Sequence, residues 1–283
     1  MRVEVRKLYR LRLAPGLFVF NSMKFSASRR KVERAMKHIH DLNDLVVSFC
    51  ESDFYAVAVK KYKGSNFVCI QFLRGLPKAD AALIVGDALH NLRSALDILY
   101  FRALNSTTGK TGRYTKFPIF DDGEKLISSV NGGLKKLSLT DDPSAIKIRN
   151  FITDVIQPHE AGNWTLWALN EMSIMDKHQL LIPTFKVMRF TEISLQDDAG
   201  NIFLADGQPY YTEDSYRFKI ERDGNLAVND KGRAATRIVF SVGVPLCDQP
   251  VIPALTRIAE EVTRTIDAFE ALDLHPFIDI ETD

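Results

Sequence analysis

A chain of 283 residues with 46% hydrophobic and 26% charged residues can build one large core or two small ones, which excludes a disordered or low-complexity polypeptide. No apolar run approaches the ~20 residues that span a bilayer, and Cys50, Cys69 and Cys247 are odd in number with no CxxC pair, which excludes a disulfide framework or a zinc ribbon. The formal charge of +1 conceals an asymmetry: residues 1–40 carry eleven Lys or Arg against Glu4 and Glu33, and residues 260–283 carry eight acids against Arg264.

That basic N-terminal region suits RNA or another polyanion as partner. Mutual neutralisation of the two chain ends within the fold is the competing explanation. The first residues, Met1 to Lys7, contain no apolar h-region, so a cytoplasmic location is expected. Association with a membrane is not expected, and a homo-oligomer is compatible with the composition.

In chain order, residues 3–13 alternate Tyr9, Leu11 and Leu13 with Arg10 and Arg12, which predicts a strand with one basic face. Val32, Met36, Ile39, Leu42, Val46 and Phe49 recur at helical spacing, predicting a helix from Ser26 or Ser28 to about Glu51. Two β-rich segments, Tyr55 to Lys63 and Phe67 to Leu73, flank Gly64-Ser65-Asn66 and predict a hairpin. From about Lys78 to Leu104, Val85, Leu89, Leu92, Leu96, Leu99 and Ala103 mark the buried face of a long helix. The opposite face carries Asp87, His90, Ser94 and Asp97 together with Leu83, Ile98 and Phe101. A helix apolar nearly all round is expected to be enclosed, with the polar stripe inside a groove or interface.

Residues 105–123 read as loop. Thr108-Gly109-Lys110-Thr111 is no phosphate loop, because Leu104 stands where the first glycine belongs. Phe117-Pro118-Ile119-Phe120 is expected to dock on the core. A weaker helix covers Lys125 to Leu137 with Gly132-Gly133 inside it, and Asp142-Pro143 starts another. Asn163 to Leu181 forms a second helix apolar on all sides. Beyond Pro183 the period changes to two: Thr184 to Leu195, Tyr216 to Glu221 and Arg237 to Val244 predict an antiparallel sheet. Pro253 opens a final helix with an acidic outer face. The expectation is an α+β protein: a mainly helical domain over residues 1–182, hairpin included, and an antiparallel sheet with a C-terminal packing helix over residues 183–283.

The candidate site joins the two apolar helices: Asp87, His90, Asn91, Arg93, Ser94 and Asp97 from one, Asn170, Glu171, Asp176, Lys177 and His178 from the other. The run His90-Asn91-Leu92-Arg93-Ser94-Ala95-Leu96-Asp97, followed by Phe117-Pro118-Ile119 and then Asp176-Lys177-His178, resembles a group of bacterial and phage proteins with an "HNLRSALDHL … FPI … DKHR" pattern. The resemblance covers roughly residues 80–182 and implies no assigned activity. Arg93 further resembles the arginine of HEPN domains, helical bundles whose active members are metal-independent ribonucleases with roles in defence. Their motif histidine would stand near position 98, where this chain has Ile98, so RNA cleavage would require His178 or His90 instead.

Such chemistry is physically coherent. A histidine near neutral pKa can abstract a 2′-hydroxyl proton as general base or acid. Arg93 and Lys177 can hold a phosphate, with Asp87, Asn91, Ser94, Asp97, Asn170 and Asp176 completing the substrate-binding set. A metal site from His90, Asp87, Asp97 and His178 is chemically allowed, but no spacing demands it, so neither metal nor cofactor is expected. The competing reading is a non-catalytic interaction or structural protein in which the same residues form a buried polar network that positions helices.

Overall fold

The computed structural model describes residues 25–112, 115–179, 181, 183–205, 210–211, 215–272 and 274; the basic strand expected over residues 3–13 lies outside them. The chain is α+β and forms two compact units. One holds residues 44–78 and 184–239, the other residues 25–43, 79–183 and 240–274 of the described chain.

The helical unit is built on α2 (Lys78–Thr108). Leu89, Leu92, Leu96 and Leu99 are fully buried, as the alternating spacing of three and four requires. The helix runs four residues past Leu104, and the hydroxyls of Thr107 and Thr108 bond back to the Ala103 and Leu104 carbonyls in the last turn. Before it comes α1 (Ser26–Glu51), with Val32, Ile39 and Leu42 inward. Asp122 caps α3 (Gly123–Lys136) by accepting from the Lys125 N–H at 2.7 Å. Asp142 likewise caps α4 (Pro143–Asn150), with proline in the first turn where its missing N–H costs nothing. The chain continues from α4 into a π-helical segment, Phe151–Ile156, which stops where Gln157 turns left-handed at φ 50°. Asn163 caps α5 (Trp164–His178), and α6 (Val251–Ala271) closes the unit with Leu255, Ile258, Val262, Ile266 and Phe269 buried. Phe269 sets its ring edge-on to Phe117 and Phe151, at 6.2 and 5.2 Å between centroids.

The first and last described helices meet electrostatically. Arg29 of α1, only 6% exposed, donates to Asp267 at 2.7 Å and to both carboxylate oxygens of Glu270 on α6. Arg30, Arg34 and Lys37 on the same helix remain exposed.

The other unit is all antiparallel sheet apart from the end of α1. Strands β1 (Tyr55–Tyr62) and β2 (Ser65–Phe72) form the expected hairpin. Its turn is the two residues Lys63 and Gly64, both at positive φ, so Ser65 and Asn66 belong to the strand. The remaining strands are β3 (Thr184–Thr191), β4 (Ser194–Asp197), β5 (Ile202–Leu204), β6 (Tyr210–Tyr211), β7 (Ser215–Ile220), β8 (Leu226–Asp230) and β9 (Arg233–Val239). They pair in the orders β1-β2-β7-β6, β3-β9 and β5-β4-β8. Phe54 packs between Phe49 and Tyr55, both at 4.9 Å, and Phe190 continues the aromatic cluster to Tyr216 at 5.3 Å.

This arrangement corrects the division at residue 182. The hairpin belongs with the C-terminal strands, since β2 pairs with β7 in the register Val68↔Phe218 and Ile70↔Tyr216. The C-terminal helix belongs instead with the helices. The physical reason is that a strand edge must complete its hydrogen-bond ladder, and its partner can come from anywhere in the chain.

Candidate functional site

Arg93 projects from α2 with its side chain only 11% exposed, so each of its N–H groups needs an acceptor. Nε donates to Asn170 Oδ1 on α5 at 3.2 Å, Nη1 to Asp97 Oδ1 at 2.7 Å, and Nη2 to the Phe117 carbonyl at 2.8 Å. Asp97 Oδ1 also accepts the Phe117 N–H at 2.9 Å. Two side chains one helical turn apart thus satisfy both backbone groups of a single residue, as a neighbouring strand would. Burial pulls the guanidinium below its ordinary pKa, and the Asp97 charge opposes that shift. The consequence is positional: Phe117, 1% exposed, is held against Tyr100 at 6.1 Å, and the expected docking of Phe117-Pro118-Ile119 is observed.

A second cluster lies on the same pair of helices. Gly86 lets α5 come close, because a Cβ there would overlap the Asp176 carboxylate. Asp176 accepts the Leu181 N–H at 3.4 Å. Burial holds its carboxyl above the usual range, and the charge of Asp87 adds to that, while the Leu181 bond and His90 act in the opposite direction. Asn91 donates to the Asp87 carbonyl and accepts from Lys31 at 3.3 Å, and Ser94 lies 3.5 Å from His90 Nε2.

The candidate residues therefore fall into two groups. Arg93, Asp97 and Asn170 are joined by hydrogen bonds; Asp87, His90 and Asp176 are electrostatic neighbours. Lys177 and His178 stand exposed at the end of α5 and enter neither network. Among the described residues the enclosure expected from the all-round apolar helices is incomplete. Asp87 and His90 are exposed, as are Leu83 (55%), Phe101 (38%) and Ile174 (42%), because no described element covers that side. Among the described residues no group of His, Cys, Asp and Glu is arranged to hold a metal ion.

Beside the Arg93 network a cleft of about 640 Å³ opens between α2, α3, Gly112 and the segment from Thr115 to Phe120. Arg93 and Asn170 reach its wall. Tyr100, Leu104, Phe117, Val130, Leu137 and Ile174 make it largely apolar, and the exposed Lys116 and Lys136 bring the positive charge. Its described lining contains no Asp, Glu or His. Burial pushes the Tyr100 phenol up to about 12, so that wall stays neutral. Gly133 also lines the cleft. An interior helical glycine costs roughly 1 kcal/mol relative to alanine, and a Cβ at Gly132 or Gly133 would meet nothing within 4 Å among the described residues. Lys116, Lys136 and Gly133 were not among the residues singled out from sequence; the only local sign was a glycine pair inside a helical pattern.

The fold and cleft define an α+β protein with a cationic, apolar-walled groove in its helical unit. Comparison with family models, with curated proteins and with solved structures finds no match. No helix among the described residues is long and apolar enough to cross a membrane.

Proposed function

We propose that this protein binds a phosphate-bearing ligand in the cleft between α2 and α3, and that the Arg93 network builds the site without taking part in chemistry. The observation that carries this reading is the lining. A groove of ligand size whose described lining has two lysines and no carboxylate attracts an anion without like-charge repulsion from those residues. Arg93, with three of its nitrogens already donating to protein acceptors, holds the wall rather than the ligand. The ligand class agrees with the one implied by the HEPN-like resemblance. The cleavage step does not gain support, since neither His90 nor His178 lines the cleft.

Titration of ¹⁵N-labelled protein with inorganic phosphate and pyrophosphate tests the proposal. Saturable shifts on residues around Lys116 and Lys136 are expected. The double variant Lys116→Ala/Lys136→Ala should weaken them about tenfold, and added salt should weaken them in the wild type, as for exposed charges. An absence of saturable shifts, or undiminished binding by the double variant, overturns it. Incubating mixed-sequence RNA in chelator with wild type and His178→Ala checks the catalytic alternative; cleavage lost in the variant would reinstate it.

A further inference from the structure

We infer that the ligand is a linear inorganic polyphosphate, which runs from the cleft over α3 at Gly132 into a second cationic groove on the far side of that helix. The inference rests on the phosphate reading above and goes further by naming the ligand and its path. The second groove, of about 370 Å³, has Gly132 and Lys135 of α3 and Arg149 of α4 in its wall. Like the cleft, it has cations and no carboxylate in its described lining.

The charges are placed for a chain that crosses the helix. Successive helical side chains are about 100° apart, so the neighbours Lys135 and Lys136 serve opposite flanks of α3. Lys135 lines the second groove and Lys136 the cleft. One turn back, Gly132 lies on the ridge between those flanks, opposite the buried Leu126, Val130 and Leu134. A Cβ at Gly132 would meet nothing within 4 Å among the described residues, so the ridge there is bare backbone that a thin chain can cross. Lysines in a last turn also complement the helix dipole, but Lys116 and Arg149 come from other segments. Among the described residues none of these four cations has a carboxylate partner; Arg149 donates only to the amide oxygen of Asn150. The remaining lysine of α3, Lys125, is paired with Asp121 and Asp122. Uncompensated positive charge is thus gathered where the two grooves approach each other.

A phosphate or pyrophosphate occupies one groove at a time, because a helix about 10 Å across separates them. A repeating anion reaches both and gains the affinity of two-point attachment. The rings Tyr100 and Phe117 in the first lining are buried, and the second lining has none. Apart from the half-buried Phe120, the bases of a nucleic acid would find no stacking platform, which favours a chain made of phosphates alone.

The test titrates the full chain with pyrophosphate, with inorganic polyphosphate and with single-stranded RNA of the same number of phosphates. Polyphosphate should bind about a hundredfold more tightly than pyrophosphate. Lys135→Ala/Arg149→Ala should remove most of that advantage, keep pyrophosphate affinity within about twofold, and lower the slope of log affinity against log salt by about two. Gly132→Leu, a better helix former, raises the ridge and should weaken polyphosphate but not pyrophosphate. If polyphosphate binds no better than pyrophosphate, or if either variant leaves its affinity unchanged, the inference fails while the phosphate site stands. If RNA binds more tightly than polyphosphate, the path belongs to a nucleic acid and the inference also fails. If nothing binds, or if Lys116→Ala/Lys136→Ala binds polyphosphate as wild type does, both proposals fall.

Discussion

Asp176 carries a charge in a position that disfavours it, between the backbone of α2 at Gly86 and the carboxylate of Asp87. Its folded-state pKa is raised, so the folded chain holds the proton more tightly than the unfolded chain. Stability then falls as pH rises through the folded value, and the penalty vanishes below the unfolded value of about 4. Asp176→Asn keeps an oxygen for the Leu181 N–H and removes the charge. The variant is expected to melt above wild type at pH 7, by on the order of 0.5 kcal/mol once solvent screening is allowed for, and to converge with it below about pH 4. A melting series across pH decides this; a variant that melts no higher at neutral pH would show that the charge carries no penalty. The sequence placed Asp87, His90 and Asp176 in one candidate set because helical spacing is local information. It did not show that Arg93 would be saturated by Asn170, Asp97 and Phe117, since hydrogen-bond acceptors are recruited from distant segments.

Arg93 ties three elements, and its removal tests that tie. Arg93→Ala leaves Asp97 without its cation and the Phe117 carbonyl without its donor, a loss of about 3 kcal/mol by the usual cost of breaking a buried pair. Arg93→Lys should recover only a fraction, because an ammonium cannot reproduce the fork that reaches three acceptors. Hydrogen exchange at the Phe117 amide, bonded to Asp97, should accelerate in both variants. Unchanged melting in Arg93→Ala would mean that the network is incidental. Among whole elements, those with strong periodicity and caps were legible: α1, α4 behind Asp142-Pro143, and the hairpin. The short strands β5 and β8 were not, because three to five residues carry too little alternation to stand out from turns. The exposure of Leu83, Phe101 and Ile174 was hidden for a related reason. Apolar character all round a helix says that it can be enclosed, not that a neighbour exists to enclose it.

Across the helical unit, the first described helix and the last are held together by Arg29 with Asp267 and Glu270. Arg29→Ala strands two carboxylates beside α1, one of them mostly buried, and should cost about 3 kcal/mol. Because the arginine is nearly inaccessible, added salt should restore little of that loss in a denaturant titration. Full recovery in salt would mark the contact as a surface pair. The charge asymmetry between the chain ends was visible in composition, and Arg29 shows that part of it is used internally, while Arg30 and Arg34 stay exposed. The sequence by itself determined the α+β class, the main helices, the Asp142 cap of α4 and the existence of the hairpin, because these follow from spacings within a few residues. Only the tertiary structure decided that β2 pairs with β7, that the last helix returns to α5, and that Lys116, Lys136 and Gly133 share one cleft. Those choices depend on which surfaces meet when strand edges and apolar faces are buried, and no local pattern encodes them.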